Sequence, residues 1–384
     1  MEKSRAKRII MAVTNDLVTD NRVHKIALTL LEMGFNVTLA GRKYPSGKIK
    51  LERPYHTRRF SLWFNKGPLF YTNYNIRLFF HLLFSTFDVV VSNDLDTLPA
   101  CFLASRIKRK NIVYDSHEYF TEIPELLDRP MVKLVWEKIE RTIVPKLAHC
   151  YTVCQSIADI YGEKYGTLFR VVRNVPFYKE NELHNKSFTP PFPTNYPVII
   201  YQGAVNLGRG IEEAILAMHH INGAKLVIIG GGDKVGSCKE LVDKEGLNEK
   251  VLFTGRIPFD ELRKITGFAT IGLSIEKDMG LNYRYALPNK IFDYIQSEVP
   301  VLASSLPEIK RIVNDFSVGY LIHEITPENI SRGISTMLSN EESYREWKEN
   351  CRKAKTILCW ENEQQTVKAV FKPFLQATTK FGKH

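Results

Sequence analysis

Short apolar runs and amphipathic helical stripes alternate along the first half of the chain. Residues 8–13 (RIIMAV) form a β-branched apolar run that is typical of a buried parallel strand. After a polar turn, Val23, Ile26 and Leu30 recur at helical spacing until Gly34, which predicts a helix that ends there. Further strand signals, with helical segments between them, stand at residues 36–40, 88–92, 111–114, 149–153 and 170–173. This alternation predicts a doubly wound α/β domain.

The alternation stops after residue 174 and begins again at residue 198. The stretch between them includes SFTPPFPTNYP, which has four prolines and no helical stripe and therefore predicts an extended linker. The second series of strand signals stands at residues 198–202, 225–229, 251–254, 269–274 and 299–303. We expect an N-terminal Rossmann-like domain over residues 1–180, a linker over 181–197 and a C-terminal Rossmann-like domain over 198–360. A last helix at about residues 361–375 could belong to either half, including the first.

The composition is that of an ordinary globular protein. Of the 384 residues, 44% are hydrophobic and 25% are charged, which excludes wholesale disorder and collagen-like repeats. No apolar run reaches the roughly 20 residues that span a bilayer, and the first residues show no signal peptide. The six cysteines are irregularly spaced, so we expect reduced thiols and a cytoplasmic protein.

The net charge of +11 is concentrated in the first half of the chain. Residues 1–200 contain 29 basic and 19 acidic residues, whereas residues 201–384 contain 24 and 23. A solvated basic face, an anionic lipid surface and a phosphorylated acceptor would each explain this excess. The aromatic-rich segment 79–84 favours a peripheral position at the inner face of the membrane, unless residues 76–84 form a buried helix. No nucleic-acid-binding module is recognisable, so we expect no nucleic-acid partner.

Polar residues follow most of the predicted strands. In open α/β sheets, ligands bind outside the carboxyl ends of the strands, so these residues are the candidates for a binding site. With two domains facing each other, both sets would line one cleft. The candidates in the first half are Asp16, Asp94, His117 and Glu118, and those in the second half are Gly208, Arg209, Gly210, Gly255, Arg256 and Glu276.

Two short motifs of the second half suit a phosphorylated ligand. Gly208-Arg209-Gly210 opens a helix, where glycines let the backbone approach a phosphate and Arg209 adds a cation, although an ordinary turn would look the same. Lys290 and Asp293 lie one turn apart and would suit a phosphate and ribose hydroxyls, or form a surface pair. No G-x-G-x-x-G follows the first strand of either half, which argues against a dinucleotide-dependent dehydrogenase.

The stretch LSIEKDMGLNYRYALPNKIFDYIQSEVPVLAS resembles the donor-site signature of the family-4, retaining glycosyltransferases of group 1. VTNDLVTDNRVHKIALTL, YDSHEYF, VVRNVPF and IIYQGAVNLGRGIEEAI resemble other segments of that family, so the resemblance covers most of the chain. It implies an α/β fold of the GT-B type, with two facing Rossmann-like domains and a central interdomain cleft.

The resemblance also implies roles for individual residues. Glu276 would contact hydroxyls of the donor sugar, Asp293 would hold the ribose, and Arg209 would contact the diphosphate with help from Lys290. Glu276, His117 and Arg209 would form the catalytic group, since His117 matches a histidine that faces the sugar. The remaining donor-site residues would be Gly208, Gly210 and the Gly255-Arg256 loop near the base, and the acceptor-side candidates are Asp16, Asp94 and Glu118.

Four departures from the family pattern concern the same residues. Glu276 and Asp293 stand seventeen residues apart instead of eight, so strict spacing would place Tyr285 at the first acidic position. The second acidic residue is Asp instead of Glu, and Thr14-Asn15-Asp16 replaces a glycine-rich turn. An arginine expected near Gly203 is absent unless Lys290 or Arg284 replaces it.

The most specific function that the sequence predicts is a hexosyltransferase. It would transfer a sugar from a nucleotide diphosphate sugar to the hydroxyl of a carbohydrate or lipid-linked acceptor, with retention, in cell-surface polysaccharide or glycolipid synthesis. We expect no cofactor and no metal, because Asp94-Leu95-Asp96 lies far from the predicted diphosphate site although it is formally a metal-binding D-x-D. The alternatives are a nucleotide-sugar epimerase on the same fold and a catalytically degenerate nucleotide-sugar-binding protein.

Overall fold

A computed structural model describes residues 5–18, 20–43, 52–178, 180 and 189–376. The chain forms two compact units, one of residues 1–174 with 363–384 and one of residues 175–362. The boundary thus falls at residue 174, because Val175 and Phe192 already pack in the core of the second unit. Residues 181–188 of the predicted linker lie outside the described residues.

The first unit contains a seven-stranded parallel sheet with strand order β3-β2-β1-β4-β5-β6-β7. The central strands β1 and β4 are buried, which is why they read as continuous apolar runs. The edge strand β3 was not predicted, because it is mostly exposed and buries only Phe60. The strands are β1 (Arg8–Asp16), β2 (Asn36–Lys43), β3 (His56–Ser61), β4 (Val89–Asn93), β5 (Asn111–Ser116), β6 (Cys150–Thr152) and β7 (Phe169–Val171).

Helices cover this sheet. The first begins after Asp20, whose side chain accepts a hydrogen bond from the Val23 amide at 3.1 Å and caps it. It buries Val23, Ile26 and Leu30, as the helical spacing predicts. The helices are α1 (Asn21–Glu32), α2 (Gly67–Phe84), α3 (Leu98–Lys108), α4 (Pro124–Leu127), α5 (Pro130–Ile143) and α6 (Gln155–Tyr165).

The second unit contains a six-stranded parallel sheet with order β10-β9-β8-β11-β12-β13. The short edge strand β13 was not predicted. The strands are β8 (Val198–Gln202), β9 (Lys225–Ile229), β10 (Val251–Gly255), β11 (Ile271–Ser274), β12 (Val301–Ser304) and β13 (Gly319–Ile322). The helices are α7 (Ile211–Ala217), α8 (Val235–Lys244), α9 (Phe259–Thr266), α10 (Leu281–Arg284), α11 (Asn289–Gln296), α12 (Pro307–Phe316), α13 (Pro327–Ser339) and α14 (Glu341–Ile357).

The last helix, α15 (Trp360–Gln376), returns to the first unit from Glu363 onward. Its Phe371 ring packs edge-on against Phe35, with 6.3 Å between ring centroids. Its Phe374 ring packs similarly against His149 at 4.8 Å. These contacts explain why the end of the chain belongs with the first unit.

The strand order reverses beside the first strand of each sheet, between β1 and β4 and between β8 and β11. In a parallel sheet, the crevice at such a switch point lies at the carboxyl ends of the strands. The candidate residues that follow β1, β4, β5 and β11 therefore lie at or beside a switch point. The predicted fold class of two Rossmann-like α/β domains is confirmed.

Two further expectations concern cysteines and membrane spans. All six cysteines are buried and free. None of the described helices is long and apolar enough to cross a bilayer.

Candidate functional site

Glu276 is the centre of a charged cluster in the second unit. It follows β11 and is fully buried, and its Oε2 accepts a hydrogen bond from Ser274 Oγ at 2.9 Å. Its Oε1 lies 2.9 Å from Lys290 Nζ and 3.8 Å from Arg209 Nη1. Burial alone would raise the pKa of Glu276, but Lys290 and Arg209 hold this pKa below its usual value. Glu276 is therefore an anion held between two cations.

Lys290 reaches this cluster from the first turn of α11. Its Nζ lies 3.9 Å from the centroid of the Tyr201 ring, a cation–π contact that holds the ammonium in place. Within the described part of the chain, neither Lys290 Nζ nor Glu276 Oε1 has an aligned hydrogen-bond partner, despite the 2.9 Å between them. The two atoms form an ion pair, and each keeps further hydrogen-bonding capacity that suits a ligand.

The loop around Arg209 lies against the segment that follows β11. Gly208 and Gly210 have φ angles of +77° and +71°, which residues with a side chain rarely adopt. A Cβ at Gly210 would lie 2.4 Å from the Ile275 carbonyl oxygen, so only glycine permits this approach. The Arg209 guanidinium lies 5.4 Å from the Tyr283 ring centroid. The two glycines thus bring Arg209 next to Glu276.

Asp293 lies one turn beyond Lys290 on α11 and is half-buried. Gln202, the last residue of β8, donates from Nε2 to Asp293 Oδ2 at 3.3 Å. Gln202 is itself oriented by Thr266, whose Oγ1 donates to Gln202 Oε1 at 2.7 Å. Asp293 is thus fixed at the carboxyl end of the same sheet.

Gly255 is the last residue of β10 and Arg256 follows it, and β9 separates this strand from β8. Gly255 has a φ angle of +75°. The Arg256 side chain covers Gly231, where a Cβ would lie 2.7 Å from Arg256 Nε. This loop is therefore two strands away from the end of the strand that carries Gln202.

The sequence left two alternatives open: Tyr285 in place of Glu276 at the first acidic position, and Arg284 in place of Lys290 as the substitute for the missing arginine. Tyr285 directly follows α10, whereas Glu276 contacts both cations of the cluster. Arg284, the other proposed substitute for the missing arginine, pairs with Asp278 at 2.6 Å on the surface. Lys290 is thus the substitute that contacts Glu276.

His117 is held by two carboxylates in the first unit. Its Nε2 lies 3.1 Å from Asp115 Oδ2 and its Nδ1 3.3 Å from Asp94 Oδ2. Its backbone amide donates to Asp94 Oδ1 at 2.8 Å. Burial alone would lower the pKa of His117, but Asp94 and Asp115 raise this pKa to about 10. Burial raises the pKa of Asp94 to about 7, although the charge of His117 acts against this rise. The pair is therefore an imidazolium and a carboxylate above about pH 7.

The sequence did not reveal that Arg22 supports this histidine. Arg22 Nη2 lies 2.7 Å from Asp115 Oδ1, and Arg22 Nη1 donates to the Val172 carbonyl at 2.7 Å. Arg22 and Asp115 are both buried, and burial would raise the pKa of Asp115, but Arg22 and His117 hold it below its usual value. The arginine stands near the start of α1, within a segment that resembles the family, but nothing in its spacing identified the partner.

The remaining candidates lie around these residues. Asp94 has a φ angle of +63° directly after β4, and its amide donates to the Asp115 carbonyl at 2.8 Å. Asp16 pairs with Arg59 at 2.7 Å. Glu118 is half-buried, and its carbonyl accepts a hydrogen bond from Ser116 Oγ at 2.9 Å. The structure brings Asp94 and His117 together, while Asp16 has its own cation.

Asp96 completes the D-x-D pattern. It is buried and accepts a hydrogen bond from Thr14 Oγ1, and burial raises its pKa to about 7. Across the described ranges, no group of three or more His, Cys, Asp or Glu side chains is arranged to hold a metal ion.

Family models match both halves of the chain. The model described as Glycosyl transferases group 1 matches residues 184–354, and Glycosyltransferase Family 4 matches residues 20–175. Two uncharacterized glycosyltransferases of Methanocaldococcus jannaschii are similar in sequence. One is 21% identical over 320 residues, which is 77% of each chain. The other is 27% identical over 148 residues, which is 37% of this chain and 36% of that relative.

Solved structures share the fold at low sequence identity. Sucrose-phosphate synthase from Thermosynechococcus elongatus is 16% identical, with a TM-score of 0.79 over 97% of this chain and 100% of that one. HepE of Anabaena in complex with UDP-glucose is 13% identical, with a TM-score of 0.75 over 95% and 99%. The chain therefore belongs to the group 1, family 4 glycosyltransferases, and its two Rossmann-like domains are those of the GT-B fold.

Proposed function

We propose that this protein transfers a hexose from a nucleotide diphosphate sugar to an acceptor hydroxyl, with retention of the anomeric configuration. The observation that carries the proposal is the cluster of Glu276, Lys290 and Arg209. Its buried Oε1 and Nζ atoms lack aligned partners among the described residues. A sugar hydroxyl can donate to the carboxylate, and a phosphate oxygen can accept from the ammonium.

The two cations supply the catalytic electrostatics. As the bond between sugar and phosphate breaks, negative charge grows on the leaving diphosphate, where fixed cations stabilise it without reorganisation. Arg209 and Lys290 are held in place by the Tyr283 and Tyr201 rings. We propose that they take the place of a divalent ion, which makes the reaction independent of metal and of any cofactor.

Glu276 contacts the sugar in this proposal. The sugar ring gains oxocarbenium character in the transition state, so hydrogen bonds from its hydroxyls to an anion strengthen there. Cations keep Glu276 ionised despite full burial. Retention follows from a mechanism in which the leaving phosphate assists deprotonation of the acceptor, and no side chain of this cluster is placed as a covalent nucleophile.

The nucleotide is assigned to the other residues of the second unit. Asp293, oriented by Gln202, would accept hydrogen bonds from the ribose hydroxyls. Gly208 and Gly210 would admit the diphosphate beside Arg209, and the Gly255-Arg256 loop would lie near the base. The structural similarity to HepE, whose structure contains UDP-glucose, supports a uridine nucleotide as the first donor to test.

The acceptor is assigned to the first unit. Asp16, Asp94 and Glu118 offer carboxylates to acceptor hydroxyls, and the His117 imidazolium would donate to an oxygen of the transferred sugar. We propose a carbohydrate or lipid-linked acceptor, in the synthesis of a cell-surface polysaccharide or glycolipid. Nucleic acid is not a proposed partner.

A thermal-shift panel of UDP, GDP, ADP and their sugars tests the donor site. A ligand at 100 times its Kd adds about 2.7 kcal/mol to the free energy of unfolding, and thus raises Tm. We expect one nucleotide to stabilise the protein, and Arg209→Ala to abolish this shift while the surface control Arg284→Ala keeps it. A panel without any shift contradicts the proposal. Donor conversion without an acceptor would identify an epimerase, and tight binding without turnover would identify a degenerate binding protein.

A further inference from the structure

Helix α2 of the first unit exposes large apolar side chains along one face. Leu69, Ile76, Phe80 and Phe84 are exposed, at spacings that place them on the same side of the helix. Other residues of α2 pack in the core of the unit. The sequence left two alternatives for residues 76–84, a membrane-facing segment and a buried helix. The helix has one exposed apolar face and one buried face, so each alternative describes one of its faces.

The elements next to α2 expose apolar side chains as well. Helix α3 packs against α2 and exposes Leu103 and Ile107, one turn apart. Trp63, which precedes α2, is 79% exposed and lies under the Arg77 guanidinium, 4.8 Å from its ring centroid. We define the apolar face as Trp63, Ile76, Phe80, Phe84, Leu103 and Ile107.

The charged residues of α2 and α3 themselves are all positive. Helices α2 and α3 contain no Asp or Glu, but they carry Arg77, Arg106 and Lys108. Arg58, on the neighbouring strand β3, lies close enough to lower the pKa of His81 on α2, after the larger effect of burial. Arg58 and Arg106 are exposed, and neither forms an ion pair with any residue that the structure describes. Their charges are thus available to an anionic partner.

We propose that the apolar face docks on an anionic lipid bilayer. A bilayer offers an apolar interior to Phe80 and Phe84 and anionic headgroups to the surrounding cations, which is the pairing that interfacial helices use. A second copy of this chain would instead place cations against cations, because α2 and α3 carry no carboxylates to match them. The observation is independent of the donor site.

Cosedimentation of the full chain with vesicles tests this docking. We expect the protein to pellet with mixed phosphatidylcholine and phosphatidylglycerol vesicles at low salt. It should remain in solution with phosphatidylcholine alone, or at high salt, where the charges are screened. Each cation near an anionic surface changes the partition coefficient about fivefold. Arg58→Glu with Arg106→Glu removes two such cations and should therefore weaken binding by about 25-fold or more.

Matched variants separate this surface from unspecific effects. Lys348→Glu with Lys353→Glu changes the net charge equally on α14, where both lysines are exposed, and should bind like the unmodified protein. Phe80→Ser with Phe84→Ser should lose vesicle binding while its Tm stays close to that of the unmodified protein, because both rings are exposed. Equal recovery with neutral vesicles, or an equal loss in the α14 control, would overturn the proposal. So would light scattering that shows a dimer dispersed by the phenylalanine variant without any vesicle binding.

Discussion

The two sheets have the same architecture, but the charges at their carboxyl ends are arranged in opposite ways. A histidine lies between two carboxylates in the first unit, and a carboxylate lies beside two cations in the second. In the first unit, His117 is clamped by Asp94 and Asp115, and Arg22 in turn neutralises Asp115. In the second unit, a single carboxylate, Glu276, stands before two cations and keeps an oxygen without an aligned partner in the described chain. The partners of the first arrangement are side chains of the same unit, whereas we propose that a ligand also binds at the second.

The two arrangements should respond differently to mutation, because an unpaired buried charge lowers the free energy of unfolding. Removing one partner of a buried ion pair destabilises a protein by about 3–5 kcal/mol, since the other charge remains desolvated. The first cluster should therefore respond to mutation mainly through stability. The second should respond through catalysis as well, because Glu276 and Lys290, although paired with each other, also bind the substrate in our proposal.

The largest expected effect on this comparison comes from Arg22→Ala. The substitution leaves Asp115 buried beside His117 without its main cation, so the free energy of unfolding should fall by about 3–5 kcal/mol. Urea unfolding at neutral pH measures the loss. The arginine of an exposed surface pair, Arg284→Ala, serves as control and should leave the free energy of unfolding nearly unchanged. Equal losses in both variants would show that the buried network contributes nothing special.

Glu276→Gln in the second unit should lower the catalytic rate. The substitution keeps shape but removes the anion that the sugar needs in the transition state, so kcat should fall about 100- to 1000-fold. Steady-state kinetics with a nucleotide sugar donor measures this. Tyr285→Phe is the matched control, and we expect nearly unchanged kcat. If the two results were exchanged, the first acidic position of the family pattern would belong to the 284–286 segment.

The contrast also shows which parts of the site a sequence can predict. Glu276, Lys290, Asp94 and His117 were singled out as candidates because they follow strands or open a helix, which is a local signal. Their partners were not found, because contacts such as Arg22 with Asp115 join residues 93 positions apart.

The fold shows the same division. Apolar runs such as β1 and β8 were predicted because a central parallel strand is buried on both faces. The edge strand β3 was missed because its sequence, HTRRFS, is polar and mostly exposed. It is a strand through its pairing with β2, which the local pattern does not encode.

The next prediction concerns the pH dependence of the first cluster. The pKa of folded His117 is raised to about 10, from an unfolded value near 6.5, so its stabilising contribution is fully present below about pH 6.5 and is lost as the pH rises through 10. With allowance for its partial exposure and its shared charge with Asp94, we expect on the order of 2 kcal/mol.

Urea unfolding of the unmodified protein and of His117→Gln at pH 6, 8 and 10 isolates this contribution. The difference in stability between the two should shrink from pH 8 to pH 10, because Asp94 is ionised over this interval while His117 loses its proton. His24→Gln is the control between pH 8 and pH 10, because burial lowers the pKa of His24 to about 4 and its imidazole is neutral there in the folded and in the unfolded protein. A difference that is constant from pH 6 to pH 10 would mean that His117 is not charged in the folded protein.

Asp293→Ala should have a smaller effect, on donor binding alone. The ribose does not change during the reaction, so losing its contact should raise KM by about tenfold and leave kcat nearly constant. The same loss should appear in the affinity for the free nucleotide diphosphate. Asp278→Ala, which removes a surface carboxylate paired with Arg284, is the control. If Asp293→Ala bound the nucleotide diphosphate as tightly as the unmodified protein, Asp293 would not be the residue that holds the ribose.

The smallest expected effect is that of a chelator, and it tests both clusters at once. If Arg209 and Lys290 neutralise the diphosphate, EDTA should leave the transfer rate unchanged, and added magnesium or manganese should not raise it. The Asp94-Leu95-Asp96 sequence offers the competing explanation, in which a divalent ion binds in the first unit. Its geometry opposes this, since Asp94 is engaged by His117, and Asp96 by Thr14. EDTA could instead abolish activity, and metal could restore it in the unmodified protein but not in Asp96→Asn. This result would show that a metal ion held by the first cluster stabilises the diphosphate. Unchanged rates in the presence of EDTA, together with a large loss in Arg209→Ala, would assign it to the cations around Glu276.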